Sequence, residues 1–226
     1  VQSIMWCGYP GQSGGASIAD ALFGSTNPSG RLTQTWYPES FAQITTVKDM
    51  RMRADPDDGY PGRSYRFYTG PTVFEFGDGL SYTEFEVGRP AISMDTVQLG
   101  AILADLPSTQ QQQLRPVSLN RLELASVTVT VTNLGQRAGT DTILLFISPP
   151  ADVAGGESGA PLKTLAAYTK VRLAPGASKV VRLPLNARSF AFANSTGSMV
   201  SAPGEWHMWV GNDGRSFSET FQVTKP

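Results

Sequence analysis

Apolar and polar positions change their period three times along the 226 residues, and each change marks an expected element. Ser3 to Cys7 reads as a short apolar strand that runs into the glycine-rich turn GYPGQSGG. A helix is expected to begin near Ser13, because Ile18, Ala21 and Leu22 recur at helical spacing. Gly24 follows as a stop, since glycine enters the left-handed conformation without steric cost. Asn27-Pro28-Ser29-Gly30 then forms a turn, and Leu32 to Tyr37 returns as a strand that Pro38 ends. Residues 1–38 therefore read as the terminal β-α-β unit of an α/β domain. Such a unit cannot hold a sheet alone, because strands need neighbours and a covered face.

From Glu39 to about Glu86 neither period persists, and glycine, proline, tyrosine and charge dominate. A long irregular stretch usually packs across a domain or carries function. Tyr60, Tyr65, Phe67, Tyr68, Phe74, Phe76, Tyr82 and Phe85 would be costly to leave in water, so this stretch is expected to lie ordered on a surface. With the polar loop around Gln110 to Gln113 it makes residues 39–116 an aromatic-rich connector and loop.

Strict alternation then takes over. Val127, Val129 and Val131 face one way while Thr128, Thr130 and Thr132 face the other, as a half-buried strand requires. Further strands are expected at Thr142 to Ser148, Leu162 to Leu173, Lys179 to Leu185, Ser189 to Ala193, Glu205 to Gly211 and Phe217 to Thr224. Regularly spaced short strands of this kind are the profile of an immunoglobulin-like or fibronectin type III-like β-sandwich, here spanning residues 117–226. The chain is thus expected to be mainly β with a small α/β segment, in two modest domains.

Composition removes several functions. Eighteen basic and nineteen acidic residues leave a net charge of −1, so no basic field exists to gather nucleic-acid phosphates. No apolar run approaches the roughly 20 residues of a membrane-spanning helix, and an export signal, if the protein has one, would lie upstream of Val1. Cys7 is the only cysteine, which excludes an internal disulfide and a cysteine-rich metal site, and it is expected as a small buried side chain. His207 is the only histidine; with no nucleophile elbow in the sequence it is expected to be structural. Asn194-Ser195-Thr196 is an acceptable glycosylation sequon, whereas Asn27-Pro28-Ser29 is blocked by proline.

The strings WCGYPGQSGGASIADALFGSTNPSGRLTQTWYP and GYPGRSYRFYTGPTVFEFGDGLSYTEF resemble, in order and spacing, the end of the middle α/β domain and the following connector of glycoside hydrolase family 3. The sandwich after them resembles the fibronectin type III-like domain that ends many members. Arg63 to Tyr68 followed by Thr69-Gly70 is more similar to the β-xylosidase and α-arabinofuranosidase group than to β-glucosidases. The resemblance implies a secreted, extracellular retaining exo-glycosidase acting on xylan-derived or other cell-wall oligosaccharides, without a cofactor. It also implies that the aspartate nucleophile and the glutamate acid/base come from a barrel and an upstream α/β segment, so this chain alone would be inactive. That N-terminal catalytic portion, covalently joined or as a separate chain, is the expected partner, and it would bring the oligosaccharide.

The chain's own carboxylates do not suggest a replacement for the pair that retaining hydrolysis needs about 5–5.5 Å apart. Asp55, Asp57 and Asp58 lie in ADPDDGYPG, a turn composition in which aspartates accept backbone hydrogen bonds, and the calcium-loop pattern is absent. Asp20 and Asp78 read as structural acceptors. The glycine-rich turn lacks the lysine of a phosphate loop and the spacing of a dinucleotide fingerprint. Trp6 and Tyr9 are the candidate substrate-binding residues, through aromatic stacking on a sugar ring, with core packing as the other reading. The alternative function is a non-catalytic extracellular module that binds carbohydrate or assembles with other proteins. A lone immunoglobulin-like adhesion domain would leave the first eighty-five residues unexplained.

Overall fold

A computed structural model describes residues 3–99, 122–155, 159–194, 197–211 and 217–224. The loop read around Gln110 to Gln113 lies outside the described residues.

Two sheets face each other across the C-terminal half. In the first, β4 (Glu123–Asn133) pairs antiparallel along one edge with β7 (Ser178–Asn186). Along its other edge it pairs with two short strands end to end, β1 (Phe85–Val87) and β2 (Ala91–Ile92). In the second sheet the order is β3 (Thr96–Gln98), β11 (Phe217–Thr224), β10 (Gly204–Val210), β5 (Gly139–Ser148) and β6 (Thr164–Leu173). All neighbours are antiparallel except β3 and β11. Residues 85–98, from the stretch read as connector and loop, thus supply three strands to the sandwich.

The alternation of the sequence is the alternation of burial. Val127, Val129 and Val131 from the first sheet meet Ile143, Leu145, Ile147, Trp206, Met208 and Val210 from the second in one apolar core. β5 departs from a half-buried strand, because Leu144 and Phe146 on its outer face are also buried. The cause is the connector: Tyr65 and Phe76 stack with centroids 4.2 Å apart and meet the Phe146 ring edge-on at 5.9 and 6.0 Å. Covering such a ring contributes about 2–3 kcal/mol, which explains why an irregular segment is so aromatic. Arg53 fastens the same segment by donating to the carbonyls of Gly159 at 3.0 Å and Ala193 at 3.2 Å.

Three expected strands differ. Ser189 to Ala193 opens as a 3-10 turn, Ala187–Phe190, and only Phe192–Ala193 pairs as β8 with β9 (Met199–Val200). The Ala191 N–H closes that turn on the Arg188 carbonyl, so those groups are unavailable to a ladder. Leu32 to Tyr37 forms no continuous strand; it crosses residues 73–78 through separated hydrogen bonds, Trp36 N–H to Phe74 O at 2.9 Å and Leu32 N–H to Asp78 O at 2.8 Å. Ser3 to Cys7 has no ladder partner among the described residues and is irregular. A strand whose backbone groups find no neighbour has nothing to hold it extended.

The helix forms as expected. α1 runs Gly14–Leu22, and Gly24 at φ +78° turns the chain so that its N–H reaches the Ala21 carbonyl.

Candidate functional site

The two candidate aromatics stand on the loop that leads into α1. Gly14 abuts Pro10 so closely that an added Cβ would sit 2.6 Å from the proline ring, and the Gly14 N–H closes on the Gly11 carbonyl at 3.2 Å. That packing folds residues 8–11 back on the helix start and holds Tyr9 at the tip. Trp6 retains 46% of its surface and Tyr9 is fully exposed at 105%, so neither packs into a core here. Among the described residues no ring contact joins them to each other. Cys7, expected to be buried, is exposed between them, because none of the described residues covers residues 3–8.

Among the described residues, twenty large apolar side chains are exposed, and ten of them fall within the first 52 positions, among them Ile4, Met5, Trp6, Tyr9, Leu22 and Phe23. A second aromatic cluster lies beyond it, where Tyr37 stacks on Phe41 at 4.2 Å and Tyr68 meets both rings edge-on. The Tyr37 hydroxyl accepts the N–H of Ser64 at 2.6 Å, and Ser64 holds φ +63°, a conformation costly outside glycine. Burial raises the pKa of the Tyr68 hydroxyl, and Tyr37 adds to the shift.

The acidic turn is clamped. Arg51 donates to Asp49 at 2.9 Å, Asp55 at 3.0 Å and Asp58 at 2.6 Å, and its guanidinium covers the Tyr60 ring at 4.5 Å. The side-chain hydrogen bond from Arg51 pulls the Asp49 carboxyl down to about 2, and the Arg51 backbone N–H assists. Asp55 and Asp58 share that guanidinium and also accept the backbone N–H groups of Asp57 and Tyr60, so the cluster organises a turn. Asp78 accepts the Glu75 N–H at 2.7 Å, and Asp20 lies on the exposed side of α1. His207 sits on the outward face of β10 with its nearest carboxylate, Glu205, at 3.9 Å. No group of three or more histidine, cysteine or carboxylate side chains is placed to hold a metal among the described residues. Asn194 occupies the β8–β9 turn, its Oδ1 accepting the Ser198 N–H at 2.9 Å.

The polar contacts that join distant elements carry no local signal in the sequence. Arg31 and Asp141, 110 positions apart, form an ion pair at 2.6 Å beneath a cleft of about 510 Å³. Asn133, fully buried, ties β4 to the connector and to β6.

Comparison with known proteins adds to this geometry. Residues 1–82 match the glycosyl hydrolase family 3 C-terminal domain, and residues 141–214 match a fibronectin type III-like domain. The chain is 36% identical over 228 residues to the beta-xylosidase/alpha-L-arabinofuranosidase 1 of Medicago sativa subsp. varia, covering 96% of this chain and 28% of that protein. It is 32% identical to the exo-1,4-beta-xylosidase xlnD of Emericella nidulans, over 99% of this chain and 26% of that protein. Among solved structures, the GH3 exo-beta-xylosidase XlnD in complex with a xylobiose aziridine activity-based probe superimposes with a TM-score of 0.77 at 32% identity, over 97% of this chain and 27% of that one. The beta-D-glucoside glucohydrolase from Trichoderma reesei superimposes with a TM-score of 0.69 at 25% identity, over 97% and 30%. The chain therefore spans under a third of the length of these relatives.

Proposed function

The chain belongs to glycoside hydrolase family 3, with its C-terminal domain and fibronectin type III-like sandwich, and we propose from this that it is the structural C-terminal part of a secreted retaining exo-glycosidase of the β-xylosidase type. Its substrates are xylan-derived or other cell-wall oligosaccharides, and the catalytic aspartate and glutamate are supplied by a barrel and α/β segment outside these residues. The observation that carries the reading is the apolar exposure of residues 4–52 on a fragment of an α/β domain. Burying such side chains against a partner is worth about 1.5–3 kcal/mol each, so the face gains from docking on the catalytic portion proposed to lie outside these residues. The xylosidase preference is supported by its relatives among plants and fungi, which are named for xylosidase and arabinofuranosidase activities.

Co-expression with a polypeptide carrying the barrel and the start of the α/β domain of a family 3 xylosidase tests the assignment. The two parts are expected to copurify and to hydrolyse an aryl xyloside, while this chain alone does not. Hydrolysis by the chain alone, or full activity of the barrel part without it, would remove the proposed role.

Trp6 and Tyr9 are proposed to reach the sugar from the docked loop. Trp6→Ala in the assembled enzyme is expected to lower kcat/KM about tenfold, equivalent to about 1.4 kcal/mol. Unchanged KM and turnover in a normally folded variant would sink the contact.

We also assign Asn194 as an N-glycosylation site of the exported protein, on the strength of its sequon and its position in a turn. Enzymatic deglycosylation of secreted material should reduce the mass of the peptide that contains Asn194. An unmodified peptide from a glycosylation-competent secretory host would contradict the assignment.

A further inference from the structure

A sheet edge is a row of unpaired N–H and C=O groups that takes up another strand unless something blunts it. Three of the four edges of the two facing sheets are blunted. β1, β2 and β3 are only two or three residues long, and β7 carries Pro184, which has no N–H to offer. The fourth edge, β6, runs for ten residues without a proline, and its ladder partner among the described residues is β5 alone.

Both ends of β6 are occupied and its middle is not. The Leu165 N–H donates to the Tyr65 hydroxyl at 3.2 Å, a register shift leaves Ala166 out of the ladder, and the Leu173 carbonyl accepts from Asn133 Nδ2 at 3.3 Å. Between them Ala167 to Arg172 pair residue for residue with Leu145 to Thr140. On the other side of that span no main-chain partner lies among the described residues. Alternate residues there turn their N–H and C=O groups outward.

The side chains select the guest. Tyr168, Lys170 and Arg172 share the outer face and are exposed, beside Leu144, Thr142 and Thr140 of β5. Neither cation has a carboxylate partner among the described residues, whereas Arg182 on β7 is held by Glu123, and Lys163, just before β6, by Glu75. A second copy paired antiparallel about this span would bring Lys170 and Arg172 against their own kind, which is destabilising. Carboxylates at i and i+2 of an incoming strand would stand directly across from both. The unpaired groups repeat at a strand's own spacing, which an acidic polysaccharide does not match, so the guest is a polypeptide.

We propose that the β6 edge takes up an extended acidic segment of a separate polypeptide as an added strand, its alternate carboxylates facing Lys170 and Arg172. Main-chain hydrogen bonds supply the affinity and the two cations choose the sequence. Fluorescence anisotropy of labelled TEVETVT, a strand-forming peptide with that spacing, and of its counterpart TKVKTVT, titrated with the full chain, tests it. Saturable binding of the acidic peptide is expected, at least about tenfold tighter than the lysine peptide and weakening as salt is raised. Lys170→Glu/Arg172→Glu should reverse the preference, which a folding defect cannot do. N-methylation of the peptide on alternate residues should abolish binding in one phase and spare it in the other, because only one set of amides faces β6. Binding that is indifferent to N-methylation, or matched by polygalacturonate, would make the edge a polyanion surface and overturn the added strand. So would no saturation with the acidic peptide, or an unchanged preference after charge reversal. Displacement of the peptide by self-association of the chain, or by the barrel-bearing polypeptide, would assign the edge to those occupants and likewise overturn the proposal.

Discussion

Asn133→Ala should lower the unfolding free energy of the chain by about 3–4 kcal/mol, a large share of the stability of a domain this size. The side chain is fully buried and uses both ends. Nδ2 donates to the carbonyls of Arg137 at 2.8 Å and Leu173 at 3.3 Å; Oδ1 accepts the Thr83 hydroxyl at 2.8 Å and the Gly135 N–H at 3.1 Å. A methyl group satisfies none of these. Each buried group left without a partner costs about 1–3 kcal/mol, although relaxation and water entry recover part of it. The loss should also be local before it is global, because the Thr83 hydroxyl on Asn133 is one of two holds of the connector on the β4–β5 turn, beside Leu134 N–H to the Glu84 carbonyl at 2.8 Å. Urea unfolding monitored by tryptophan fluorescence gives the total. Limited proteolysis should show new cleavage near residues 79–87 below the unfolding midpoint. A destabilisation under about 1 kcal/mol would mean that the network is dispensable.

The sandwich could be read from the sequence because its physics is local and periodic. One strand places valine and threonine on opposite faces, and the structure buries Val127, Val129 and Val131 while Thr130 stays exposed. α1 was legible for the same reason, its end marked by Gly24. Cys7 and the strand expected at Ser3 to Cys7 failed for a complementary reason: periodicity states what a segment would do beside a neighbour, and no neighbour lies among the described residues. The aromatic density of residues 60–85 correctly announced an ordered surface segment, but no pattern says that Tyr65 and Phe76 choose Phe146. Asn133 and the Arg31–Asp141 pair were invisible because a single polar residue in a strand or turn has no period, and its partner is chosen by the fold. Trp6 and Tyr9 were chosen on chemistry alone, and the structure leaves both exposed rather than packed in a core.

Arg31→Met is expected to cost about 3–5 kcal/mol, because it leaves the Asp141 carboxylate buried without its cation. The side chains of the pair retain 18% and 7% of their surface, so solvent can replace little of what the guanidinium supplies. The Gly79 carbonyl also loses its donor at 3.2 Å. The cost belongs to the broken pair and not to the pair's intrinsic worth, which the double variant Arg31→Met/Asp141→Leu separates. Removing both charges should recover most of the loss, since an apolar replacement of a buried ion pair is often neutral. Stability in the double variant equal to the sum of the single losses would show that the two residues act independently. The position of the pair adds a second readout. Arg31 lies seven residues after Gly24, which ends α1, and Asp141 lies in β5, so the pair ties the segment that carries α1 to the sandwich. Amide exchange in Arg31→Met should therefore quicken through residues 14–36 while β4 and β10 keep their protection. Equal acceleration in both regions would instead mean that the chain unfolds as one unit, with the ion pair acting only on its total stability.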